Sequence, residues 1–313
     1  MTHHTQNFAR VSRRRFLTVS AVLGGALLWR PQSLLAQTNT VVVPPARPQR
    51  YKIAVCDWMI LKRQKLGAFQ LAKDLGADGV EVDMGSLGER ETFESQLNQP
   101  VVRQSFLDRA RELGLEIPSL AMSGFYAQSF AERATVPRMV QDCLDTMVAM
   151  QVKVAFLPLG VRSDLLQHPE LRPAVIERLR AAGAQAQKAG VVIGVESELA
   201  AADQIKLLAE VGSPGIQVYY NLANAIKHGH DYGQELRLLG KDRVCQIHCS
   251  NEDGFWLQND PKVNVPALKA ALDELGWSGW LVVERSRDAK DARNVKRNFG
   301  ANVAYLKGVF QKP

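Results

Sequence analysis

The chain has 313 residues, 46% of them hydrophobic, with 39 lysines and arginines against 32 acids and a formal net charge of +7. The length suits one large domain with a sizeable core. The four cysteines, Cys56, Cys143, Cys245 and Cys249, form no CxxC pair and no disulfide spacing, and they read as small buried apolar residues. The positive charge is concentrated at the start. Residues 1–36 hold Arg10, Arg13, Arg14, Arg15 and Arg30 with no acid, and residues 37–50 add Arg47 and Arg50, so the chain from Tyr51 onward is close to neutral. A nucleic-acid-binding or membrane-binding basic face is therefore not expected.

Ser12 to Leu17 read SRRRFL, a twin-arginine pattern, followed by the apolar stretch Val19–Leu28 and a small-residue region ending LLAQ. A basic region, a short apolar region and a cleavage region are the layout of an export signal. The expectation is a twin-arginine signal peptide over residues 1–36, recognised by the Tat export machinery and delivering a folded protein to the periplasm or the exterior. Pro44, Pro45 and Pro48 mark residues 37–50 as an extended linker. Residues 51–313 then form the catalytic domain.

From Tyr51 one theme recurs: an apolar strand, a loop, a helix-period stretch and a glycine-containing turn. Strands are predicted at Lys52–Cys56, Gly79–Asp83, Glu116–Ala121, Val152–Leu157, Val191–Glu196, Gly215–Asn221, Val244–Cys249 and Gly279–Glu284, rich in Val and Ile as in strands buried on both faces. Helical stretches separate them, several closed by a C-terminal glycine (Gly76, Gly114, Gly190, Gly212, Gly276), and the last is expected over Asp288–Phe310. Eight strands alternating with eight helices give an α/β class and a (β/α)8 TIM barrel. No GxGxxG or GxxxxGK[ST] follows any strand, which argues against an open doubly wound sheet with a nucleotide site.

Active sites of such barrels lie at the C-terminal ends of the strands. Glu196, Asn221, His248 and Glu284 stand at the C-terminal ends of strands five to eight, an arc of carboxylate, amide and imidazole. Any one of these residues alone reads as a helix cap or loop anchor; four at matched positions read as one site. Such a set suits a divalent metal, with Mn²⁺ foremost and Mg²⁺, Co²⁺ or Zn²⁺ also compatible. Weaker candidates for substrate contact are Glu198, Glu81, Trp58, Trp256 and Arg285, with Phe125 and Tyr126 as further apolar wall. His228 and His230 read as loop residues, and Asp231 as the cap of the next helix.

The segments KDLGADGVEVD, GLEIPSLAMS, KAGVVIGVESE, YYNLANAIKHGHD, GKDRVCQIHCSNEDG and LGWSGWLVVER make the chain similar to the xylose isomerase-like TIM barrel superfamily, the sugar phosphate isomerase/epimerase group, from Tyr51 to Phe310. The resemblance implies metal ligation by Glu196, His248 and Glu284, with Glu196 and Glu284 also moving the proton next to a sugar carbonyl. Where the family has an aspartate on strand six, this chain has Asn221, which implies a weaker metal site. The loop CSNED after His248 also departs from the family, so no substrate contact is carried over from it. The implied activity is a metal-dependent isomerase or epimerase acting through an enediolate on a free sugar or keto-sugar. Alternatives are a lyase acting on a 3-keto-glycoside and a non-catalytic exported sugar-binding protein. The expected partner is a small sugar, with no nucleic acid, and a homo-oligomer is compatible with the sequence.

Overall fold

A computed structural model describes residues 49–311; the expected signal peptide and nearly all of the linker lie outside the described residues. Eight parallel strands close into a barrel in sequence order: β1 (Tyr51–Cys56), β2 (Gly79–Asp83), β3 (Ser119–Ala121), β4 (Val154–Pro158), β5 (Val192–Glu196), β6 (Ile216–Asn221), β7 (Val244–His248) and β8 (Gly279–Val283). Closure is between β8 and β1, where Tyr51 to Val55 run level with Gly279 to Val283. The helices are α1 (Gly67–Asp74), α2 (Pro100–Leu113), α3 (Val136–Met150), α4 (Arg172–Ala189), α5 (Ala201–Val211), α6 (Leu222–Lys227), α7 (Tyr232–Leu239), α8 (Val265–Leu275) and α9 (Val295–Phe310).

The predicted strands all form, with local differences. β3 begins at Ser119 rather than Glu116, because Pro118 has no N–H to give the ladder; Glu116 makes only an isolated bridge to Gly79. Two helices rather than one connect β6 to β7. Gly229, at φ +72°, ends the first, and Asp231 accepts from the Gln234 N–H to cap the second, as its position predicts. α9 starts at Val295, seven residues later than expected, with Asn294 capping it. Arg50, assigned to the linker by sequence, is fixed to the barrel instead. It donates to the Trp277 carbonyl at 2.8 Å and to the Leu272 carbonyl at 2.9 Å, and pairs with Asp273 at 3.0 Å.

Apolar residues fill the space between sheet and helices in one continuous core, and the barrel interior carries a smaller layer of Ala121, Phe156 and Tyr219. The interior is not wholly apolar. Gln246 donates to Ser119 Oγ and to the Tyr219 hydroxyl, both at 2.8 Å, and those two hydroxyls donate to Glu81 Oε2 at 2.6 and 2.8 Å. Buried polar groups with partners avoid the large desolvation cost of unpaired ones.

A second buried network ties β1 to β2 at the barrel mouth. Asp57 accepts from the backbone N–H of Gln64 at 2.8 Å and of Asp83 at 3.2 Å, while the Gln64 side chain donates to the Asp83 carbonyl at 2.8 Å. Asp83 accepts from Gly85 N–H at 2.6 Å and from the Ser123 hydroxyl. Burial lifts both carboxyls, Asp57 well above its usual range and Asp83 to about 6, although Arg63, Ser123 and Gly85 pull Asp83 the other way. An unfolded aspartate ionises near pH 4. The folded state therefore holds a proton that the unfolded state has lost between about pH 4 and 6, and this contribution to stability falls as pH rises through that window. Asp83→Asn should gain stability relative to the native chain between pH 4.5 and 7 in urea titrations; a constant difference across that range would refute the assignment.

Candidate active site

The alternation of each strand and the parallel register bring the strand ends together. Asn221 closes β6 level with His248 closing β7; Glu196 closes β5, and Glu284 follows β8 directly. All four are at least nine-tenths buried. His248 Nδ1 lies 3.0 Å from Glu196 Oε2 and 3.6 Å from Glu284 Oε2. Its other nitrogen, Nε2, lies 3.1 Å from Glu81 Oε1, deeper in the barrel. Phe156 and Tyr219 pack against the imidazole at centroid distances of 4.6 and 4.5 Å and fix its plane.

The two oxygens of each strand-end carboxylate have separate duties. Both Oε2 atoms face His248 and the Asn221 amide, whose Nδ2 donates to Glu196 at 2.9 Å and lies 3.4 Å from Glu284. Both Oε1 atoms face the Tyr126 hydroxyl, which lies 2.8 Å from Glu284 and 3.1 Å from Glu196. Tyr126 ends the 3-10 turn Ser123–Tyr126, and that turn is held at both ends. Asp83 anchors Ser123, and the Val161 N–H donates to the Tyr126 carbonyl at 3.1 Å. Gly160 makes this approach feasible, since a Cβ there would lie 2.2 Å from the Tyr126 carbonyl oxygen.

The electrostatics follow from this crowding. Burial alone would depress His248, but Glu284, Glu196 and Glu81 outweigh it and hold the imidazole well above its ordinary range. Burial raises Glu284; His248 and the Tyr126 hydroxyl oppose that rise and Glu196 adds to it. The Tyr126 phenol is pushed far up by burial and by the two carboxylates, so it stays protonated.

Two carboxylate oxygens and an imidazole nitrogen converging on one point suit a divalent cation, and Glu81 behind Nε2 supplies the carboxylate–histidine support common at such centres. Glu196, His248 and Glu284 could therefore hold a metal. Asn221 is oriented otherwise than sequence suggested. Its Oδ1 accepts from Ala223 N–H at 2.9 Å as the cap of α6, so its amide presents hydrogens rather than a lone pair to the site. Among the described residues a second group, Cys56, Glu81 and His248 Nε2, also lies with its donor atoms within 4.8 Å of one another.

A cavity of about 230 Å³ opens above this centre, walled by Tyr126, Glu196, Asn221, Glu284, Lys227 and Arg285 among others. Of the weaker sequence candidates, Arg285 and Glu198 reach it. Glu198 is not free, being held by Lys227 at 2.7 Å and His228 at 2.6 Å. Burial raises the Glu198 carboxyl, but the hydrogen bonds from Lys227 and His228 outweigh it and leave it below its usual range. Three candidates stand elsewhere. Glu81 lies beneath His248, and Trp58 stacks on Phe156 at 6.2 Å without lining the cavity. Trp256 donates to Asn298 at 2.8 Å under the Arg297 guanidinium and packs onto α9. The polar function of Tyr126 was not legible in the sequence, where it read as apolar wall.

Comparison with known proteins agrees with this architecture. The family model described as "Xylose isomerase-like TIM barrel" matches residues 69–308. A curated relative, 2-epi-5-epi-valiolone 7-phosphate 2-epimerase of Actinoplanes sp., is 25% identical over 199 residues, covering 62% of this chain and 71% of its own. Among solved structures, D-psicose 3-epimerase of Clostridium cellulolyticum H10 superposes with a TM-score of 0.67 at 13% identity, covering 83% of this chain and 99% of that one. The 3-keto-D-glucoside 4-epimerase of E. coli gives 0.64 at 17% identity, covering 82% and 99%. At these identities the structures show a shared fold.

Glu81 carries the weight of the interior, accepting from Ser119 and Tyr219 and facing His248. Glu81→Ala leaves a buried imidazole and two hydroxyls without their acceptor and should cost about 3–5 kcal/mol in urea unfolding. A loss below about 1 kcal/mol, the scale of one ordinary hydrogen bond, would show that the pair is not a structural keystone.

Proposed function

The chain belongs to the xylose isomerase-like TIM barrel family, and on that footing we propose that it is an epimerase or isomerase of a free sugar or keto-sugar, with Glu196 and Glu284 as its two proton-transfer groups. The observation that carries this reading is the pair of buried carboxylates bordering one cavity, each with one oxygen turned to a cationic centre and one to the Tyr126 hydroxyl. The names of the epimerases that share its fold and sequence support the choice of reaction class.

In this reading one carboxylate removes the proton from a carbon next to the sugar carbonyl. The C–H electron pair forms a C=C bond to the carbonyl carbon while the C=O π pair moves onto oxygen, giving an enediolate. The other carboxyl, protonated, returns a proton to the opposite face, inverting that carbon. Asn221 and His248 hold the Oε2 atoms, so the two bases keep their orientation. Glu196, His248 and Glu284 would hold a divalent ion, Mn²⁺ foremost, which supplies Lewis acidity toward the substrate oxygens. The closed interior beneath the centre, with Glu81, Phe156 and Tyr219 fully buried, keeps water from below.

The test is incubation with a panel of free ketoses and 3-keto-glucosides in D₂O, followed by NMR. The sugar should be converted with at most one solvent deuteron entering, at the inverted carbon, and Glu196→Gln and Glu284→Gln should each slow turnover by about 10²–10⁴-fold. Full activity in both variants would overturn the assignment. Release of an aglycone with an unsaturated sugar would reassign the site to elimination, and binding without any conversion would leave a sugar-binding protein. Elemental analysis of the purified protein, with a chelator-induced fall in melting temperature, tests the metal.

The SRRRFL motif and the apolar stretch after it lead us to place the mature enzyme outside the cytoplasm. Fractionation of a Tat-competent host should find it in the periplasm, and Arg13→Lys with Arg14→Lys should retain it inside. Equal export of that variant would remove the proposal.

A further inference from the structure

A two-base epimerase has a problem that a single turnover does not show. If Glu196 takes a proton and Glu284 gives one, the product leaves with Glu196 protonated and Glu284 ionised, the reverse of the starting state. The next turnover in the same direction has to wait until that proton returns. Both glutamates are only 4% exposed, and they meet solvent at the cavity they border.

We propose that Tyr126 is a proton relay that resets the two glutamates between turnovers. The proposal rests on the two-glutamate reading above. Its basis is geometric: one hydroxyl stands within hydrogen-bond distance of both Oε1 atoms, 2.8 Å from Glu284 and 3.1 Å from Glu196. Those are the oxygens not turned toward His248 and Asn221. With the bridge formed, the phenolic O–H bond breaks as its proton passes to Glu284 Oε1, while the proton on Glu196 Oε1 passes to the phenolic oxygen. One O–H bond forms at each acceptor and one breaks at each donor. The tyrosine begins and ends neutral, the net change is one proton moved from Glu196 to Glu284, and no oxidant, reductant or water is consumed. The reverse transfer serves the opposite direction of catalysis.

The fold holds the hydroxyl in this place. Asp83 fastens the start of the turn, Val161 fastens the Tyr126 carbonyl, and Gly160 lets the two segments touch. The ring packs on Phe156 at a centroid distance of 5.8 Å. A tyrosine needed only to wall the cavity would not require its oxygen to face both carboxylates.

Tyr126→Phe removes the relay while keeping the ring, and its melting temperature checks that the barrel is intact. With the panel sugar that the native enzyme converts fastest, the first turnover per site should slow far less than steady-state turnover at saturating substrate, which should fall by about 10-fold or more. The progress curve should therefore show a burst of one product per site. Small proton carriers such as formate or imidazole should restore the steady-state rate in the variant and leave the native enzyme unchanged. A tracer experiment separates reset from chemistry. With the two epimers at equilibrium and one trace-labelled, excess unlabelled substrate should transiently drive label out of equilibrium in the variant and not in the native enzyme.

An unchanged steady-state rate without tracer displacement would overturn the relay, as would an equal slowing of the first and later turnovers, which would place Tyr126 in the chemical step. If Glu196→Gln and Glu284→Gln retain activity, the two-base reading falls and the relay with it. If those variants are inactive and Tyr126→Phe behaves as native, the relay alone falls.

Discussion

The pairing of Glu81 with His248 in the middle of the barrel is the interaction on which the rest of the site depends. A carboxylate and an imidazole at 0% exposure would each be costly alone. Here Glu81 divides its two oxygens, one accepting from Ser119 and Tyr219 and the other facing His248 with Cys56 3.4 Å away. The imidazole is thereby fixed in plane and depth, and its Nδ1 is aimed upward at Glu196 and Glu284. Those carboxylates take their Oε2 orientation from that nitrogen and from Asn221, leaving Oε1 to the cavity. The organisation is vertical: an interior network orients a histidine, the histidine orients two acids, and the acids border the space where a substrate would sit.

Much of this was legible in the chain. The eight apolar runs and the glycine-ended helical stretches specify a barrel through spacing alone, and the strand ends Glu196, Asn221, His248 and Glu284 come together because period-two alternation and parallel register leave little choice. Edges were less readable. Pro118 delays β3, and the short helix Leu222–Lys227 precedes the loop of His228 and His230 and the helix that Asp231 caps.

What sequence could not give were roles set by contacts across the fold. Tyr126 lies in a short turn after β3, and nothing in SGFYA shows that its hydroxyl crosses the mouth to reach β5 and β8. Asp57 and Asp83 are ordinary strand-end acids until burial and the hydrogen bond from the Asp83 N–H to the Asp57 carboxylate join them. Asn221 has the right position for a ligand, yet the α6 N-terminus claims its oxygen first, since a backbone N–H two residues on is closer in sequence than any partner across the barrel. Glu198 is similarly taken by Lys227 and His228, and Trp256 by Asn298. In each case a residue suited to chemistry had a structural partner that only three dimensions reveal.

The anchoring of Arg50 carries a consequence for how the enzyme faces its surroundings. Its guanidinium is gripped by carbonyls at the end of α8 and by Asp273, beside the first residue of β1, so the described chain enters at the floor of the barrel. The cavity opens at the ceiling, beyond the far ends of the same strands. The cavity's polar rim of Lys227, Glu252 and Arg285 therefore stands at the opposite end of the barrel from Arg50.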